Sequence, residues 1–298
     1  RRELSQEYPA IELVFEDCAF DTRRAITAAQ KLFMIDRVDA LYVDTTPIAS
    51  AVAQWSTSQK RIMVYDGAAD SVARANPYAF KTVVDFGLGC EKLAQLWKKR
   101  GVKKVGISLV SNESAEVCLQ HVRKIYPDVF DVPHNPGEEL STQLLLMKSR
   151  GVEGVFSVAY EIGALNLLRA MTALQYSPLM GDFHANISGR VVREYPGLAS
   201  RLNTFGMLDL SPDFLSKLEG GPEGVPNLDA AALAYVHVRQ LYRALAKCER
   251  DDISCQMAGM QASPPDGVFG FRGWKNRLAD IEIRLREWKD GGFVGIED

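Results

Sequence analysis

The feature that most constrains this chain is a regular exchange between two hydrophobic periods. In "TRRAITAAQKLFMID" the residues Ala25, Ile26, Ala29, Leu32 and Phe33 recur every three or four positions, which places them on one face of a helix. "VDALYV" (residues 38–43) then runs almost continuously apolar, the pattern of a strand buried on both faces of a parallel sheet. The exchange continues through helix "PIASAVAQWSTS", strand "RIMVYD", helix "GCEKLAQLWKKRG", strand "KKVGISLV" and helices "SAEVCLQHVRKIY" and "LSTQLLLMKSRG". Strand "VEGVFSV", helix "IGALNLLRAMTALQ" and strand "PLMGDF" follow. Such alternation predicts right-handed βαβ units and a doubly wound α/β fold. The segments exceed what one sheet of about five or six strands uses, so two similar lobes are expected.

The ends of the chain depart from this rhythm. A short helical start is predicted in "RRELSQEY" and a strand in "AIELVFED". After about residue 205, the Gly/Pro-rich "EGGPEGVPN" leads into a long helix, "LDAAALAYVHVRQLYRALAK", with Asp229 near its start to complement the helix dipole. The tail "GVFGFRG…DIEIRLREWKDGGFV" reads as two strands, the second with Ile281, Ile283 and Leu285 on one side.

In doubly wound folds ligands bind beyond the carboxyl ends of the strands. That selects "EDCAFD", "DTTPIAS", "DGAADS", "SNESAE", "AYEIG" and "GDFHAN". Thr45 and Thr46 follow a buried strand and open a helix, where hydroxyl and backbone N–H donors suit a carboxylate or other anion; Thr also serves there as an ordinary N-cap. Asp182 and His184 could ligate a metal, but two ligands two residues apart need partners that the sequence does not identify, and loop polarity is the favoured account of them. No GxGxxG, GxxxxGK[ST] or GxSxG motif follows a strand, so neither a nucleotide cofactor nor a serine nucleophile is expected.

A net charge of −3 argues against nucleic acid as a partner, and no apolar run reaches the length of a membrane span, so direct membrane insertion is not expected. The chain is expected to be soluble. Residues 1–20 also lack the basic-then-apolar order of a secretory signal, which leaves a cytosolic or an already processed chain. The five cysteines include no zinc-type pair, and no metal is expected. Cys248 and Cys255 in "KCERDDISC" either form a disulfide across a helix-to-helix turn, which would indicate an oxidising compartment, or are two small hydrophobes.

A collinear series of segments adds a resemblance that covers nearly the whole chain. It comprises "IELVFEDCAFDTRRAITAAQKLFMIDRVDALYV", "NPYAFKTV", "LAQLWKKRGVKKVGISLVSNE", "STQLLLMKSRGVEGVFSVAYEIGALNLLRAMTAL", "AALAYVHVRQLYRALAKC" and "REWKDGGFV". Together these resemble the type I periplasmic binding proteins, within them the leucine/isoleucine/valine-binding group of ABC-transporter solute receptors. The resemblance implies two Rossmann-like lobes joined by three crossings, with a hinge and a ligand cleft. The expected division is residues 1–84 plus 208–264 for one lobe and 85–207 plus 265–298 for the other. Glu16, Asp17 and Asp21 are then expected to cap the helix that follows them.

By the same resemblance, first-lobe ligand contacts fall on Thr45 and Thr46 and on Asp66, Gly67 and Ala68, with Ala69 where the family commonly has Thr. Second-lobe contacts fall on Ser114, where the family has an aromatic residue, and on Tyr160, where the aromatic is kept. The acid that balances a ligand ammonium aligns with Phe183, flanked by Asp182 and His184. A cleft with Phe in that place is expected to favour a neutral or anionic molecule, such as an aromatic acid stacked on Tyr160 and Phe183. The family opens with a strand and loop before its first helix, whereas this sequence opens within what resembles that helix, so either they lie outside this sequence or the lobe is rebuilt. The resemblance also implies an extracytoplasmic location, an ABC permease as partner and no catalysis. A ligand-sensing domain of an amide-type regulator or receptor is the alternative on the same fold, and an enzyme using Asp182 and His184 is the alternative from another class.

Overall fold

The computed structural model describes residues 6–297 apart from 111, 112, 136, 159, 188, 219, 220, 222–224 and 226. The first five residues of the predicted helical start, and most of the predicted Gly/Pro-rich loop, therefore lie outside the described residues.

The chain begins with α1 (Thr22–Met34), β1 (Ala40–Asp44), α2 (Thr46–Gln59), β2 (Ile62–Asp66), α3 (Ser71–Ala75) and β3 (Ala79–Lys81). It continues with α4 (Phe86–Lys99), β4 (Val105–Val110), α5 (Glu113–Ile125), β5 (Phe130–His134), α6 (Ser141–Ser149), β6 (Gly154–Val158), α7 (Tyr160–Ala173), β7 (Leu179–Phe183), α8 (Gly189–Glu194) and β8 (Leu202–Gly206). The last stretch holds α9 (Pro212–Ser216), α10 (Leu228–Lys247), α11 (Ile253–Gln261), β9 (Phe271–Lys275), β10 (Leu278–Ile281), β11 (Arg284–Lys289) and β12 (Gly292–Gly295). Helix starts carry side-chain caps: Asp21, Asp85, Ser211 and Asp252 accept from the backbone N–H of Arg24, Leu88, Phe214 and Cys255.

Two compact units result. The first comprises Arg1–Val83, Asp209–Leu218 and Ala230–Glu282, and the second Val84–Leu208, Glu219–Asp229 and Ile283–Asp298. The first contains a sheet of order β1-β2-β3-β10-β9, parallel except for the antiparallel β10–β9 pair. One face of it packs Leu41, Val43, Met63 and Tyr65 against Ala25, Ala29, Leu32 and Phe33, and the other packs Ile62, Val64 and Phe80 against Leu241, Ala244 and Met260. Alternate side chains of β1 and β2 thus point to opposite helical layers, which is why both strands read as continuous apolar runs.

The second unit has the order β12-β11-β8-β7-β6-β4-β5, parallel from β8 to β5 and antiparallel at β11 and β12. Its strand order reverses between β4 and β6, since β5 lies outside β4 on one side while β6 lies on the other. On one face Val155 and Met180 pack with Leu144, Met147, Leu165 and Leu168. Elsewhere in this unit Trp97 stacks near Phe156 and donates to Asn203 Oδ1 at 2.7 Å.

Several expectations are corrected. Residues 11–18 form no strand, and Val14 and Phe15 are exposed rather than covered by a second layer. Of the three acids expected to cap α1 only Asp21 does so; Asp17 accepts from Ala19 N–H and Glu16 pairs with Lys31. The expected single strand through Ile281, Ile283 and Leu285 is two strands in two sheets, broken at residues 282 and 283. Residues 265–282, expected in the second lobe, lie in the first unit, where β10 pairs with β3. Cys248 and Cys255 are disulfide-bonded, and so are Cys90 and Cys118, a second pair that joins α4 to α5 and was not expected from their separation of 28 residues.

Candidate functional site

In the first unit the site residues are brought together by a close backbone approach. Thr45 N–H donates to the Asp66 carbonyl at 2.6 Å, carrying the β1–β2 ladder one step beyond the sheet. Ala69 N–H donates to Thr46 Oγ1 at 3.2 Å, and Tyr65 O–H donates to the Ala69 carbonyl at 2.8 Å while accepting from Ala73 N–H. A methyl group on Gly67 would lie 2.8 Å from Thr46 Oγ1 and 3.0 Å from Thr46 N, so only glycine admits this approach. Thr45 has φ 66° and ψ 148°, a backbone region that a β-branched residue adopts at a cost of about 1–3 kcal/mol. Its side chain makes no capping bond, so the N-cap role expected of it is not what holds it there.

The first unit also concentrates charge at these strand ends. Asp44 and Asp66 are register partners on β1 and β2. Burial, reinforced by Asp44 and opposed by Lys81, pushes the Asp66 carboxyl up to about 8. It is therefore mostly protonated at neutral pH and can donate a hydrogen bond. Lys81, only 2% exposed, pairs with Asp70 at 2.7 Å. Sequence reasoning missed Lys81, although a lysine inside the apolar "YAFKTV" is the signal that could have found it.

In the second unit Ser114 lies in the first turn of α5 after β4 and Tyr160 begins α7 after β6, so the two flank the point where strand order reverses. That is where doubly wound sheets open a crevice. Tyr160 is 37% exposed and lines a small cavity with Val110, His134, Leu140 and Asn166. On the neighbouring strand Asp182 is 1% exposed, and its Oδ1 accepts from Phe183 N–H at 2.7 Å and Asn186 Nδ2 at 2.9 Å. Burial, opposed by Asn186, Ser157 and the Phe183 N–H, pushes Asp182 up to about 7.

Phe183 packs with aromatic residues of its own unit. Its ring lies 5.8 Å from Phe86 and 5.6 Å from Phe205, and it is 8% exposed. It therefore contributes to the core of the second unit, and little of its ring is accessible beside Tyr160. His184 Nδ1 lies 2.9 Å from Thr204 Oγ1, and its ring meets Phe293 edge-on. Asp182 and His184 thus face different partners and do not form a hydrogen-bonded acid–base pair. Among the described residues no group of three or more His, Cys, Asp or Glu could hold a metal ion, and no helix is long and apolar enough to cross a membrane.

Among curated proteins nothing matches the chain. Several solved structures share the fold at low identity. A leucine-binding LivK protein from Thermotoga maritima superposes with a TM-score of 0.86 at 15% identity, over 99% of this chain and 91% of that one. LivJ from Streptococcus pneumoniae, solved with isoleucine, gives 0.85 at 15% identity over 99% and 91%. An ABC-transporter solute-binding protein from R. palustris, solved with 4-hydroxybenzoate, gives 0.83 at 17% identity over 96% and 84%. The two α/β units match the two-lobed type I periplasmic binding fold of these proteins. The family model for periplasmic binding proteins matches residues 9–292, nearly the whole length, and the chain belongs to that family.

Proposed function

We propose that the chain is the extracytoplasmic solute receptor of an ABC importer, and that it captures a small aromatic or carboxylate-bearing molecule by hinge closure. The observation that carries this reading is the loop pair of Thr45–Thr46 and Gly67–Ala69, held together at the carboxyl ends of β1 and β2 with backbone donors at a helix start. Asp66 supports the choice of ligand: a protonated carboxyl offers a hydrogen bond to a ligand carboxylate and no charge to balance an ammonium. The R. palustris protein with 4-hydroxybenzoate, and another from that organism with benzoate, are similar in fold and make benzoates the first compounds to test. Tyr160 is the aromatic surface available for stacking. The separate partners of Asp182 and His184 favour capture without turnover.

The test is a thermal-shift and calorimetric comparison of benzoate, 4-hydroxybenzoate, leucine and isoleucine. A ligand at about 100 times its Kd stabilises the folded state by about 2.7 kcal/mol, a shift easily read. A benzoate is expected to raise Tm, to be recovered unchanged, and to bind about tenfold more weakly to Tyr160→Ala. A shift by leucine or isoleucine alone would overturn the assigned ligand class. Chemical conversion of the bound compound would overturn the receptor role.

A further inference from the structure

At the amino ends of β1 and β2, opposite the ligand loops of the same unit, lies a second cavity of about 280 Å³. Its walls are Phe33, Val38 and Gln59, and its rim carries Arg37, Arg61 and Arg250 with the single acid Asp251. Asp251 pairs with Arg61 and Asp39 with Arg250, so the three guanidinium groups meet two carboxylates and leave one net positive charge at the cavity.

Two of these arginines are fixed in place. Arg61 donates through Nη1 to the Arg250 carbonyl at 2.7 Å and through Nη2 to Asp251 at 2.8 Å. Arg250 donates through Nε to Asp39 at 2.6 Å and through Nη2 to the Arg37 carbonyl. The segment bearing Arg250 is closed by the Cys248–Cys255 disulfide, and Gln256, 1% exposed, donates through Nε2 to the carbonyls of Glu249 and Arg250. Each fixed guanidinium spends two of its five N–H donors on these bonds by this count. Arg37 is held at φ 54° by its backbone, and among the described residues its exposed side chain has no hydrogen bond or ion pair.

We infer that this cavity is a binding site for a small oxyanion, a phosphate or polycarboxylate seated against Arg37, Arg61 and Arg250. Planar guanidinium forks match the geometry of both oxyanions. Arg250 on the disulfide-closed loop and Arg61 bonded to that loop are already ordered, so binding immobilises chiefly Arg37.

The site is independent of the ligand loops, and the experiment keeps the two apart. Inorganic phosphate and citrate are titrated separately into the full chain at low ionic strength, with sodium chloride as the control for unspecific charge effects. Saturable one-to-one binding of at least one probe is expected, about tenfold weaker in Arg37→Ala, with the anion-free Tm of the variant unchanged because Arg37 supports nothing else. Phosphate alone, or citrate alone, identifies which oxyanion the site takes. The inference is overturned if neither probe saturates below about 10 mM, a Kd worth under 3 kcal/mol. It is equally overturned if Arg37→Ala and Arg37→Gln bind as the parent does, since binding would then lie elsewhere, including at the ligand loops.

Discussion

The two units organise their strand ends by different means. In the first, Gly67 and Thr46 bring two backbone turns into contact, and the side chains there are small. In the second, Asp182 and Phe183 are themselves buried, one hydrogen-bonded to its own loop and the other packed among Phe86 and Phe205. Backbone-built loops can change side chains cheaply. Side-chain-built strand ends tie the site to the core, so substitutions there should be read first in stability. The disulfides divide similarly: Cys90 and Cys118 are fully buried between helices, whereas Cys248 and Cys255 are partly accessible and close a short loop.

The largest expected effect separates those two disulfides. Chain-entropy reasoning for separations of 28 and 7 residues gives about 3.5 kcal/mol for the Cys90–Cys118 bridge and about 2.5 kcal/mol for Cys248–Cys255. Paired Cys→Ala substitutions, followed by denaturant unfolding, should lower stability in that order. Mild reductant should open Cys248–Cys255 first, as thiol mapping would show. Earlier opening of the buried pair would mean that the second unit breathes more than its packing implies.

The same contrast explains what was legible in the sequence. The βαβ rhythm was readable because β1, β2, β4 and β6 are covered on both faces, which forces continuous apolar runs. Residues 11–18 carry a strand-like composition, yet a strand exists only where a neighbour supplies hydrogen bonds, and composition cannot report a neighbour. The tail failed for a related reason: Ile281 and Leu285 share a period but serve different sheets, a matter of chain path. That Thr45, Thr46 and Gly67 lie just beyond β1 and β2 was legible from the apolar runs, whereas the burial of Phe183 depended on Phe86 and Phe205, distant in sequence. Cys90 and Cys118 likewise meet only because α4 and α5 pack side by side.

The next effect is a pH dependence, and its sign follows from burial. Asp182 binds its proton up to about pH 7 in the folded state, whereas an unfolded Asp releases it near pH 3.9. Between those values the folded state holds more protons, so stability falls as pH rises, by roughly 1.4 kcal/mol per unit at the steepest. Asp66, pushed up to about 8, acts in the same direction. His237 acts oppositely: burial holds it near 4, below its ordinary value, and stability is lost as pH falls through that window. Comparing Asp182→Asn with the parent cancels the His237 contribution. The variant should gain stability relative to the parent on going from pH 5 to pH 7.5, measured by urea unfolding. A constant difference would place the Asp182 proton elsewhere.

The smallest effect tests the comparison between units most directly, through one glycine in each. A methyl on Gly89 would sit 2.1 Å from Phe205 Cδ2, inside the aromatic cluster that also holds Phe183. A methyl on Gly67 would press on Thr46, between the two ligand loops. Overpacking of this kind costs about 1–3 kcal/mol, with Gly89→Ala toward the upper end because its methyl would come 2.1 Å from an enclosed ring, against 2.8 Å from a hydroxyl for Gly67. Binding should respond in the reverse order: Gly67→Ala breaks the Ala69–Thr46 contact that holds the two proposed ligand loops together and should weaken ligand affinity about tenfold, while folded Gly89→Ala keeps near-parental affinity. Urea unfolding and calorimetry on the two variants read both quantities. Should Gly89→Ala lose affinity and Gly67→Ala keep it, the ligand would be held chiefly by the side-chain-built strand ends of the second unit, and the loop pair of the first would be no more than a tight turn.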